Sequence, residues 1–121
     1  MSDYYPGGGA LQAFTERVVR LIRAIPAGRV ASYGDIAAAA ESPRAARQVV
    51  RILHAMSGKH QLPWWRVVNK AGAISLAEGD GAELQRQRLL DEGVEVDESG
   101  RIQSLSRYRM DVLQLVALAR Q

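Results

Sequence analysis

Cysteine is absent from all 121 residues, which excludes disulfides, thiolate metal sites, thiol redox chemistry and a cysteine nucleophile at the outset. Histidine is nearly absent: only His54 and His60 occur, six apart, with no carboxylate cluster beside them. That spacing supports no metal site, and both read as surface or helix-face residues. Lysine is scarce, so fourteen of the sixteen basic side chains are arginines. No run approaches the roughly 20 apolar residues that a bilayer span needs, and the opening MSDYYPGGGA has neither the basic nor the apolar segment of a signal peptide. A cytoplasmic protein without membrane association is expected. GGG at 7–9 is neither a P-loop nor a dinucleotide fingerprint, and no serine stands in a motif with a partner histidine. The expectation is therefore no metal, no cofactor and no catalytic residue.

What is present is 47% hydrophobic residues in a 13.3 kDa chain, enough to build the core of one domain. Charge is unevenly placed: residues 1–77 carry a net +6, residues 78–98 a net −6, and residues 99–121 a net +3. The guanidinium fork suits phosphate and base edges, and a sequence pI of about 9.7 favours a polyanion, nucleic acid before membrane. A merely solvated arginine-rich surface is the plainer alternative.

From Leu11 to Ile25 the apolar residues Phe14, Val18, Leu21, Ile22 and Ile25 recur at spacings of three and four, predicting an amphipathic helix stopped by Pro26 and Gly28. Arg29 to Ala31 is short and extended. Ser32, with Asp35 three residues on, caps a second helix that carries Tyr33 in its first turn. Ser42 followed by Pro43 predicts the start of a third helix, Arg44 to about Met56. Its Arg44, Arg47, Gln48 and Arg51 face one way, and its Val49, Ile52, Leu53 and Met56 face the other. Two helices joined by a tight turn suggest a helix-turn-helix, with one face buried and one free to meet phosphate. Residues 64–76 then read as a β-hairpin, PWWRVVN and AISL joined by KAG. Ala82 to Glu92 is a helix ended by Gly93, VEVDESGRIQ a second small hairpin or turn, and Asp111 to Ala119 an apolar helix. The fold class is α+β, mainly helical, with a winged helix-turn-helix. Residues 1–10 are expected to be a flexible N-terminus, 11–104 one domain suited to binding DNA, and 105–121 a helical C-terminal extension.

The order GRVASYGDIA, SPRAARQVVRIL, LPWWRVVNKAGAISL and LLDEGVEV resembles the C-terminal, DNA-binding domain of the O6-alkylguanine-DNA alkyltransferases over residues 12–98. In those enzymes the third segment carries an alkyl-accepting cysteine followed by a histidine. Here Trp64 and Trp65 stand in those two places, the pattern of the alkyltransferase-like proteins. The resemblance implies that Tyr33 presses on the phosphate backbone and that Arg47 enters the stack in place of a flipped base. It places the third helix in the minor groove, makes the Val67 carbonyl an acceptor for the guanine amino group, and makes Trp64 the floor on which the alkyl group rests. Ala77 falls where the enzymes carry a tyrosine in the pocket loop, which leaves room for adducts larger than methyl. Glu92 corresponds to the glutamate that ends the enzymes' proton relay, and Arg66 is expected to pair with a carboxylate. The candidate DNA- and lesion-binding set is Tyr33, Arg44, Arg47, Arg51, Trp64, Trp65, Val67 and Ala77.

The resemblance thus implies a monomeric, non-enzymatic sensor of O6-alkylguanine in double-stranded DNA that directs lesions to nucleotide-excision repair proteins, nucleoid-associated if the source is bacterial. Two rivals remain on the residues alone. A winged-helix sequence-specific transcription regulator would read an operator through its third helix. A base-removing hydrolase would need a positioned acid or base near the tryptophans, and none is evident.

Overall fold

The computed structural model describes residues 6–76 and 79–120. Helix α1 (Pro6–Ala24) is followed by strand β1 (Ala31–Ser32), α2 (Tyr33–Ala39) and α3 (Ala46–His60), and a 3₁₀ turn (Trp64–Arg66) leads into strand β2 (Val67–Val68). Helices α4 (Ala82–Asp91), α5 (Leu105–Tyr108) and α6 (Val112–Ala119) complete the chain. The architecture is mainly helical with one small sheet. Among the described residues no helix is long and apolar enough to cross a membrane.

The 3.6-residue periodicity of α1 does what it predicts: Phe14, Val18, Leu21 and Ile22, with Ile25 just beyond, are all buried, each side chain contributing roughly 1.5–3 kcal/mol. They meet Ile36 and Ala37 of α2, Val49 and Leu53 of α3, and Leu115 of α6 in one cluster. Helix α1 begins at Pro6 and so takes in residues 6–10, which the periodicity leaves outside it. Ser32 caps α2 as expected, its Oγ accepting from the Asp35 amide at 3.0 Å, and Asp111 forms a full capping box with Gln114 at α6. The Asp35 carboxylate does not return to Ser32; it takes two hydrogen bonds from Arg109, at 3.1 and 2.7 Å.

The small sheet joins two cores. Strands β1 and β2 run parallel, with Ala31 opposite Val67 and Ser32 opposite Val68. Side chains alternate across a strand, so Ala31 and Val67 face the α1–α2–α3 cluster. Val30 and Val68 face a second cluster with Leu89, Val94, Val96, Ile102 and Tyr108.

Two expectations are corrected. The third helix starts at Ala46, not Arg44, and runs to His60. The Ser42 amide is spent on the Ala37 carbonyl at 2.9 Å, and Ala45 closes a turn onto Ser42 at 3.0 Å. Ser42 therefore ends α2 instead of capping α3, and Arg44 lies in the turn. The helix continues through Gly58 until Gln61 turns left-handed, with φ 52°. The hairpin at 64–76 is also absent. Trp64 to Arg66 winds into a 3₁₀ turn, the Arg66 amide bonding to the Pro63 carbonyl at 3.1 Å, and Val67–Val68 pairs with β1 instead. The KAG turn does form, Asn69 holding the Ala73 amide through Oδ1 at 2.9 Å. Beyond it, however, Ile74 bonds to Gly100 at 2.9 Å, so the chain crosses the 97–101 turn and does not run back along Val67–Val68. That turn, within VEVDESGRIQ, is present, with Val96 bridged antiparallel to Ile102.

Candidate nucleic-acid interface

A cavity of about 410 Å³ opens where α2, α3, the 3₁₀ turn and the start of α4 converge, within the roughly 300–1,000 Å³ usual for sites that take a small molecule. Tyr33, at the first position of α2, forms one wall, and Val50, Leu53, His54 and Ser57 of α3 form another. Trp64 lies across from them, with Leu76, Asp80, Gly81 and Leu84 closing the remaining side. Gly81 has φ 108°, and a Cβ there would approach Leu76 at 3.5 Å and Trp64 at 4.0 Å. A side chain would thus fit there, and it is the positive φ at the start of α4 that favours glycine.

The adjacent tryptophans do not share this cavity. Their ring planes stand 89° apart with centroids 6.0 Å from each other. Trp64 packs on the first core cluster, and Trp65 packs on the second. The Trp65 indole N–H donates to Glu92 Oε2 at 2.9 Å. The guanidinium carbons of Arg88 and Arg66 lie 4.7 and 5.2 Å from its ring centroid, close enough for cation–π attraction. This geometry gives Trp65 a supporting role behind the site.

Glu92 is the centre of that support. Besides Trp65 it accepts from Arg66 Nη2 at 2.6 Å and from the Gly28 amide at 3.0 Å, and Arg66 also donates to the Ile25 carbonyl at 2.8 Å. The carboxylate expected for Arg66 is therefore Glu92. Burial alone would raise the Glu92 pKa, but the bonds from Arg66, Gly28 and Trp65 and the Arg66 charge together outweigh it, holding the carboxyl below its ordinary value.

Gln85 was not evident from the sequence, yet it is almost fully buried and its Nε2 donates to the carbonyls of Trp65 and Val67, at 3.1 and 3.0 Å. Its signal was available: a polar residue four before Leu89 interrupts the buried face of α4. Val67, whose carbonyl was expected to meet a guanine amino group, is fully buried and does not line the cavity, and that carbonyl is engaged by Gln85. Asp80 and His54 also line the cavity without having been singled out. Ala77 lies outside the described residues.

On the neighbouring surface Arg44, Arg47 and Arg51 are all exposed, and none has a hydrogen bond or ion pair among the described residues. Arg44 shares a shallow hollow with Ser42, Pro43, Ala45 and Gln48. No side chain caps α3 and no acidic residue stands in its first turn, so its amide end is open to an anion. Other arginines are committed elsewhere. Arg17 holds the Ala40 carbonyl, Arg23 the His60 carbonyl, and Arg29 those of Tyr108 and Arg109. Much of the arginine excess is thus structural, and the free cations concentrate on α3 and the turn before it. If these contact phosphate, log affinity for unmodified duplex should fall against log salt at about −0.9 per phosphate, a slope near −3 to −5. Fluorescence anisotropy over a salt series checks this; a slope near zero would remove the arginine face from the interface. Among the described residues no three His, Asp or Glu side chains gather as a metal site requires.

A family model for the 6-O-methylguanine DNA methyltransferase DNA-binding domain matches residues 13–94. A DNA base-flipping protein of Escherichia coli strain K12 is 52% identical over 97 residues, covering 80% of this chain and 74% of the relative. Alkyltransferase-like protein 1 of Schizosaccharomyces pombe is 33% identical over 103 residues, 84% of this chain and 92% of the other. The crystal structure of S. pombe Atl1 in complex with damaged DNA containing O6-carboxymethylguanine superposes with a TM-score of 0.71 at 33% identity, covering 83% of this chain and 96% of that one.

Proposed function

Because the chain belongs to the family of the 6-O-methylguanine DNA methyltransferase DNA-binding domain yet contains no cysteine, we propose that it binds duplex DNA at O6-alkylguanine, turns the modified nucleotide out of the stack and holds it without taking the alkyl group. It is not an alkyl-accepting enzyme. The observation that carries the reading is the apolar-walled cavity between Tyr33 and Trp64, beside an unpaired arginine face and with no thiol inside it.

On this reading the work divides as follows. Arg44, Arg51 and the amide end of α3 engage phosphates. Tyr33 presses on the backbone of the target nucleotide, and Arg47 fills the gap left in the stack. Extrusion costs a few kcal/mol, less for a modified base whose pairing is already weak, and base stacking on a ring returns roughly 1–3 kcal/mol. Trp64 supplies that ring at the cavity floor. Contact through the minor groove carries little sequence information, which suits recognition of a modified guanine in any context.

Since the adduct is held and not removed, its correction falls to other proteins, and we assign that step to nucleotide-excision repair, the route that the resemblance implies. The protein would work as a monomer in the cytoplasm, on the nucleoid if its source is bacterial. A duplex with a single O6-methylguanine should bind at least about tenfold more tightly than the same duplex with guanine, a difference of about 1.4 kcal/mol, and intact-mass measurement should show no methyl gained by the protein. Equal affinities, or a mass gain, would overturn the proposal.

A further inference from the structure

The cavity that receives the base has a charged wall that the lesion-binding reading leaves unused. Asp80 is the only residue with a formally charged side chain at neutral pH, histidine aside, among the described residues that line it. It sits between Gly79 and Gly81, with φ of 92° and 108°, and has no hydrogen-bond or ion-pair partner among the described residues. Among the described residues no arginine or lysine lines the cavity to balance it. The other polar side chains there are those of Tyr33, Ser57, Ser75, Gln85 and His54. The surface outside is the reverse, carrying the exposed cations Arg47 and Arg51 of α3. A flipped nucleotide would therefore leave a cationic surface and enter an apolar chamber whose fixed charge is negative.

From this we propose that Asp80 is a specificity-determining residue that selects among O6 adducts by charge, disfavouring substituents that end in a carboxylate and favouring neutral or cationic substituents with hydrogen-bond donors. The inference rests on the lesion-binding reading and names the substrate class of that site. A carboxylate brought into a partly desolvated cavity beside Asp80 meets a like charge at short range, where screening by water and salt is weaker than on the open surface. An amide or ammonium on the same substituent offers N–H donors to the same oxygens, and a charge-assisted hydrogen bond is stronger than a neutral one.

The test uses three duplexes identical except at one guanine: O6-carboxymethylguanine, its near-isosteric neutral partner O6-carbamoylmethylguanine, and unmodified guanine. Binding of the full chain and of Asp80→Asn is measured by anisotropy at pH 8, where an imidazole carries no charge. The wild type should bind the carbamoylmethyl duplex at least about tenfold more tightly than the carboxymethyl duplex. Asp80→Asn should bring that ratio to within about threefold, chiefly by improving carboxymethyl binding. Added salt should narrow the wild-type ratio. If the wild type binds both adducts equally, or if Asp80→Asn leaves the ratio unchanged, selection by Asp80 is refuted while lesion binding stands. If neither adduct is preferred over guanine, the lesion reading itself fails. Asp80 is exposed and unbonded, so the variant should keep the wild-type melting temperature, and a thermal melt confirms that affinities are compared between folded proteins.

Discussion

Arg47→Ala should lower affinity for O6-methylguanine duplex by about 30- to 100-fold, roughly 2–3 kcal/mol, while leaving the fold intact. The side chain is exposed and unpaired near the start of α3, and alanine is the stronger helix former, so stability should change by no more than about 0.5 kcal/mol. What is lost, on the proposed reading, is the group that occupies the vacated place in the base stack. Without it the flipped nucleotide can return at no cost, and 2-aminopurine beside the lesion should lose most of its fluorescence gain on binding. Arg20→Ala is the matched control, since Arg20 is equally exposed but lies on α1, among the residues lining a groove near α6 and away from the cavity. If Arg47→Ala flips 2-aminopurine as well as the wild type, another residue fills the stack. If both variants lose affinity alike, the loss is general electrostatics.

The other large effect concerns stability. Glu92→Ala should cost about 3–5 kcal/mol and lower the melting temperature on the order of 10–20 °C. The side chains of Arg66 and Glu92 are only 16% and 14% exposed. Removing the carboxylate strands the guanidinium and leaves the Trp65 indole N–H and the Gly28 amide without their acceptor. The pH dependence has a definite sign. The folded-state pKa of Glu92 lies below the ordinary value of 4.5, so its contribution is complete above that value and is lost as pH falls through the folded-state value. The difference in melting temperature between the wild type and Glu92→Gln should therefore be full at pH 7 and shrink below about pH 4. A gap that stays constant to pH 3 would show that packing, not the ionised carboxylate, sets the effect.

The glutamate cluster also explains why part of the fold was hidden in the sequence. Helix α1 and the caps at Ser32 and Asp111 were legible because periodicity and capping are written within a few residues. Trp64–Arg66 was not: aromatic and β-branched residues after a proline suggest a strand, but Arg66 is held by Glu92 twenty-six residues on and by the Ile25 carbonyl forty-one residues back, and those contacts wind the segment into a 3₁₀ turn. Likewise Ser42 and Pro43 carry a helix-start signal that the Ala37 carbonyl overrides by capturing the Ser42 amide. Within the site, Tyr33 and Trp64 could be placed from motif order, since the structure brings both to one cavity. The separation of Trp65 from Trp64, the two bonds from Gln85 and the exposure of Asp80 to the cavity depend on how α4 docks. The one local trace of that docking is the polar Gln85 four residues before Leu89 on the buried face of α4.

The parallel pairing of Ala31–Ser32 with Val67–Val68 has a mechanical consequence. The residue that caps α2, immediately before Tyr33, is in register with the strand that leaves Trp64 and Trp65, and both strands are buried between two cores. On the proposed reading, the part that pushes and the part that receives are thus mounted on one stiff frame. When such a frame meets a duplex, the softer body yields. The strain of the encounter is stored in the nucleic acid, and a weakened base pair is the place where that strain is released first.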